Sequence, residues 1–171
     1  MRNIPVIVAA FLALAVQVII TPALSIELIR PNALFAFTAA LAIVRPNNAS
    51  IVTAFALGTV GGLLSSHPLG LMAAVLTVVA FLVTQVFSII DNENVFMIAA
   101  SLAIAMFLTE LAYGFLLVQF DLNVSFFRLF IYGILPCALY DSVLAFVLYP
   151  LVRRFVGAPA AATQIPVAQF R

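Results

Sequence analysis

Between Ile131 and Arg154 the chain is apolar enough to cross a membrane, yet it carries Asp141 near its middle. A carboxyl group at bilayer depth costs about 2.5–3.5 kcal/mol on insertion scales. It must face protein or a wet cavity, or be protonated, so the other helices have to wall it in. The same stretch holds Pro136 and Pro150 and closes on the basic pair Arg153 and Arg154. Tyr140 stands beside Asp141, and Cys137 one turn before it. The other carboxylate deep in an apolar run is Glu110. Three readings stay open for these two acids: hydrogen-bonded structural groups, a contact for a partner, or a proton or cation site.

A wall of helices is what the rest of the chain can supply. Of its 171 residues, 66% are apolar and 8% charged, against about a quarter charged in a soluble domain. The fold class that follows is all-α: a polytopic integral membrane protein with little chain outside the bilayer. That excludes a separate soluble catalytic domain. A net charge of +1 offers no basic surface for nucleic acid. One His and one Cys make a zinc site improbable, and neither a phosphate-binding loop nor a Ser/His/Asp arrangement is present. The reading is a protein that is not an enzyme and needs no metal or cofactor.

Taken in order, the first apolar run is Ile4 to Ile20, closed by Thr21 and Pro22. Ala23-Leu24-Ser25 resembles a signal-peptide cleavage site, but the run is long for that role and reads as a transmembrane helix. Glu27 and Arg30 mark an interfacial loop. The run from Pro31 to Val44 is short, ending at Arg45-Pro46-Asn47-Asn48, and a second short run follows to Leu64. Two spans are preferred here over a re-entrant hairpin, because irregular backbone cannot face lipid. Further spans run from Leu69 to Ile90, Val95 to Val118 and Phe127 to Val152. The count is about six transmembrane helices in a single domain, residues 1–156, with a mobile cytoplasmic tail over 157–171. Both termini then share one side. Arg2, Arg45, Arg153, Arg154 and Arg171 fall on it, against Arg30 and Arg128 on the other, so it is the cytoplasmic side.

Ala54, Gly58, Gly62 and Ser66 recur at a spacing of four, which makes a flat face that lets another backbone approach closely. Internal helix packing is the preferred reading; a docking groove for a partner helix is the alternative. In either case Gly58 and Gly62 are expected to tolerate bulk less well than Leu57.

Three stretches resemble the MreD family of rod shape-determining membrane proteins. The most specific is the closing helix, Leu135-Pro-Cys-Ala-Leu-Tyr-Asp-Ser-Val-Leu-Ala-Phe-Val-Leu-Tyr-Pro-Leu-Val-Arg-Arg154, similar to a family pattern of Leu-Pro, Tyr-Asn, Tyr-Pro-Leu and a basic pair. The second is Arg30-Pro31-Asn32. The third is Phe55 to Gly70, with its glycines and Leu69-Gly70. Two departures stand out: a frequent family Asp falls on Gly62, and a frequent Asn falls on Asp141. The resemblance marks Arg30, Pro31, Ala54, Gly58, Gly62, Gly70, Glu110, Pro136, Tyr140, Asp141, Tyr149, Pro150, Arg153 and Arg154 as partner-binding or structural candidates. It implies a scaffold of the cell-elongation machinery for side-wall peptidoglycan, in the bacterial inner membrane. The implied partner is an MreC-like bitopic protein, alongside RodA, a class B penicillin-binding protein and MreB. It also implies a six-helix fold like the substrate-binding components of energy-coupling-factor transporters. The competing function is therefore binding a small molecule, such as a vitamin, for such a transporter.

Overall fold

The structure, a computed structural model, describes residues 4–25, 31–65, 70–89, 94–120 and 125–157. Glu27, Arg30, Ser66, His67, Asp121 and the tail beyond Gly157 lie outside the described residues. Helix α1 runs Ile4–Ala15, passes a π-bulge at Val16–Ile20 and ends with Thr21–Leu24. Then come α2, Ala33–Val44; α3, Asn48–Leu64; α4, Leu71–Ile89; and α5, Val95–Phe120. Helix α6 begins at Phe126–Leu129, passes a second π-bulge at Phe130–Ile134 and continues as Leu135–Val156. Each π-bulge stands two residues before a proline, Pro22 or Pro136. A proline has no N–H to donate and crowds the carbonyl four residues back; a widened turn there lets the helix carry on. Thus α1 does not stop at Thr21 and Pro22 but gains one more turn.

Helix α2 is the core. All twelve of its residues are buried. A helix that is apolar on every side has to be surrounded on every side. Ala33, Ala36, Ala39, Ala40 and Ala42 let neighbouring helices come close, while Leu34, Phe35 and Leu41 fill the space between them. Lipid is met instead by other helices, through side chains such as Ile7, Phe11 and Ile19 of α1 and Leu139, Val143 and Phe146 of α6.

Among the described residues four helices are long and apolar enough to cross a membrane: α1, α4, α5 and α6. Helices α2 and α3 are shorter. The two-span reading of residues 31–64 therefore needs correction at α2. Its twelve residues cover about 18 Å, against about 30 Å for the hydrocarbon core. It starts beside Asp141, the middle of the Phe126–Val156 helix, and packs along the Leu135–Val156 part of α6. Helix α2 thus fills half of the bundle's height, the half that holds Val6 of α1 and Val156 of α6. The length rule fails because α2 touches no lipid.

The face of small residues lies against α4. Ala54, Gly58 and Gly62 are buried, and a Cβ on Gly58 would stand 2.5 Å from Ala73 Cα and 2.9 Å from Ala73 N. The groove of this chain is occupied by its own next helix. Gly62 differs: its nearest neighbours would be 3.9 Å from an added Cβ. A single methyl group therefore fits at Gly62 and not at Gly58. Gly70, which starts the turn into α4, has φ +88, a conformation costly for any residue with a Cβ.

Candidate functional site

The first N–H groups of a helix have no partner inside it. At a buried end they must find one elsewhere, and α2 begins inside the bundle. Its cap is assembled from three helices' worth of chain. Asn32 N donates to Asp141 Oδ1 of α6 at 2.8 Å. Ala33 N donates to Gln17 Oε1 of α1 at 2.7 Å. Leu34 N and Phe35 N donate to Asn32 Oδ1 at 3.2 and 3.4 Å. The Thr21 hydroxyl lies 3.5 Å from the same Gln17 Oε1 and 3.3 Å from Val16 O in the π-bulge. Four donors are met by three side chains.

Asp141 is fully buried, so its predicted position facing the bundle holds. The Glu110 carboxyl of α5 adjoins it, while Asp141 Oδ2 is buried with no hydrogen-bond partner among the described residues. Phe35 stacks edge-on against Tyr113, with ring centroids 5.6 Å apart.

Beyond the cap, in the half of the bundle that α2 does not fill, lies a cavity of about 690 Å³. Both bulged helices border it, through Val18, Thr21 and Pro22 of α1 and Leu129, Gly133 and Ile134 of α6. Glu110, Gln17 and Asn32 line its inner end. Among the described residues no group of three or more His, Cys, Asp or Glu side chains could hold a metal ion.

The family model for the rod shape-determining protein MreD matches residues 2–158. The chain belongs to the MreD family. It is a multi-pass membrane protein of a family that determines rod shape. No curated protein and no solved structure matches it.

Set against the family's motifs, the candidate residues fall into separate places. Pro31 is buried beside the cavity, next to the cap. Glu110 and Asp141 come together at the cap, and Pro136 follows the bulge in α6. Tyr140 is half-buried, Tyr149 packs on the core, and Pro150 is exposed within α6. Arg153 and Arg154 are exposed in its last turn. Arg30 is outside the described residues. Two cap residues were missed as site candidates, Gln17 and Asn32. Gln17 was detectable: it is the one polar side chain between Ile4 and Ile20, and a polar group in an apolar span needs a reason. Gln17→Met, which keeps the length and removes the acceptor, strands the Ala33 N–H. It is expected to cost about 1–3 kcal/mol in reversible unfolding in micelles. Unchanged stability would show that the α1 contact does not hold α2.

Proposed function

We propose that this chain is a non-enzymatic scaffold of the cell-elongation machinery in the bacterial cytoplasmic membrane. It binds an MreC-like bitopic protein and, in that assembly, works with RodA, a class B penicillin-binding protein and MreB. The observation that carries the reading is the family match over nearly the whole chain. The cap is in keeping with it: Asp141, Gln17 and Asn32 are engaged in seating a buried helix. The test is a depletion strain with affinity purification. Rounding on depletion, with an MreC-like protein recovered from the tagged chain, is the expected result. Rods that persist without the protein would refute it.

The cavity favours a second reading, the small-molecule component of an energy-coupling-factor-type transporter, since about 690 Å³ falls in the usual range of ligand pockets, about 300–1,000 Å³. That reading is the weaker one, because Gln17, Asn32 and Asp141 already spend acceptors on the backbone of α2. Recovery of an ATPase pair and a retained vitamin, in place of a bitopic partner, would favour it.

The same proposal places both termini and the Arg45-Pro46-Asn47 turn in the cytoplasm. Asn47 is a poor labelling position, because its side chain caps α3 by accepting from Ala49 N and Ser50 N at 3.0 and 3.3 Å. Asn48 is exposed. In a Cys137→Ala background, Asn48→Cys is expected to react with an impermeant maleimide only after the cytoplasmic side is opened. Reaction in intact cells would invert the topology.

A further inference from the structure

Two acceptors at the inner end of the cavity, Gln17 Oε1 and Asn32 Oδ1, are already engaged by a backbone N–H, as is Asp141 Oδ1 of the same cap. Glu110 is not used in this way. It lines the cavity at 9% exposure, beside the fully buried Asp141 carboxyl. No Arg, Lys or His is among the described lining residues. Among the described residues Glu110 and Asp141 meet no opposite charge, so ionising either of two adjoining buried acids is costly. An occupant that brings donors and positive charge lowers that cost, while an anionic occupant raises it. Farther out, Val18, Leu64, Leu117 and Ile134 give the cavity apolar walls. We propose that the cavity is a binding site for a small amphiphile with a protonated amine, whose ammonium group meets Glu110 and whose apolar chain lies along these walls. The size fits, at about 690 Å³. Binding in this cavity does not rest on the scaffold reading, which co-purification tests by itself.

The experiment uses the full chain in phosphatidylcholine nanodiscs, with n-octylamine, 1-octanol and octanoate at equal mole fraction in the bilayer. A ligand that binds the native state raises Tm saturably, whereas general partitioning into lipid does not saturate. Octylamine is expected to give a saturable rise, octanol a weaker one and octanoate none. Glu110→Gln keeps the side chain's shape and is expected to weaken octylamine about tenfold to a hundredfold, the range of a charge-assisted hydrogen bond. Leu117→Trp narrows the cavity and should abolish saturation for both neutral and cationic probes. Equal responses to octylamine and octanoate, an amine response undiminished in Glu110→Gln, or no saturable response to any probe would each overturn the proposal. Should Leu117→Trp fail to fold, the contrast between octylamine and octanoate still decides it.

Discussion

Gly58→Leu is expected to prevent the folded protein from accumulating, while Gly62→Ala leaves its level near that of the parent. The two positions are one helical turn apart on the same face of α3, and both are buried. What differs is the atom each would meet. A Cβ on Gly58 lands 2.5 Å from the Cα of Ala73, with Met72 O at 3.0 Å. Those are backbone atoms of α4 and cannot rotate away, so even one methyl group forces the helices apart. Overpacking commonly costs about 1–3 kcal/mol, occasionally more, and a whole leucine against backbone belongs at the upper end. At Gly62 an added Cβ has 3.9 Å to its nearest neighbours, ordinary contact. Leu57 is unsuited as the tolerant control, because it is itself buried at 3% exposure. Val60→Phe serves, since Val60 is 40% exposed. Quantitative blotting of membranes with size-exclusion profiles reads all three. A Gly58→Leu protein that accumulates as a single folded species would refute the α3–α4 contact.

The sequence made the long helices legible because a span is a composition and a length, and α1, α4, α5 and α6 satisfy both. It also made Asp141 legible as an inward-facing group, since the cost of meeting lipid leaves no alternative. The half-height of α2 was hidden for a physical reason. A helix buried in protein and a helix buried in lipid both read as unbroken apolar sequence, and Pro31 to Val44 carries nothing that separates them. Only the partners of its N-terminus do so. Those partners lie far away in sequence: Gln17 is 16 residues from Ala33, and Asp141 is 109 from Asn32. No local pattern announces such a cap. Pro22 read as the end of α1 because a proline ordinarily closes a helix, and the π-bulge that lets the chain continue has no strong residue signature of its own. The cavity follows from all three. It exists because α2 stops halfway, and its walls are the bulged parts of α1 and α6.

Asp141→Asn is expected to preserve rod shape, and Asp141→Leu to lose it. The carboxyl's visible task is to accept the Asn32 N–H through Oδ1 at 2.8 Å, and an asparagine carbonyl oxygen accepts equally well. The amide nitrogen would then replace Oδ2, the atom now buried without a hydrogen-bond partner among the described residues. It brings donors toward the adjoining Glu110 carboxyl, turning two neighbouring acids into an acid and an amide. On this account Asp141→Asn is neutral or slightly stabilising, which agrees with the Asn frequent at this place in the resembling sequences. Leucine fills a similar volume but accepts nothing, so the Asn32 N–H is stranded at the start of a wholly buried helix. One unsatisfied buried donor costs about 1–3 kcal/mol, a large share of a stability of about 5–15 kcal/mol. A proton pathway through Asp141 demands the opposite pattern, because an amide does not titrate and Asn would then fail as completely as Leu. Both variants are to be expressed in a strain that depends on this protein for its shape, with membrane levels measured beside cell morphology. Rounded cells carrying Asp141→Asn at normal level would sink the capping account, and rods carrying Asp141→Leu at normal level would show that α2 does not need this bond to stay seated.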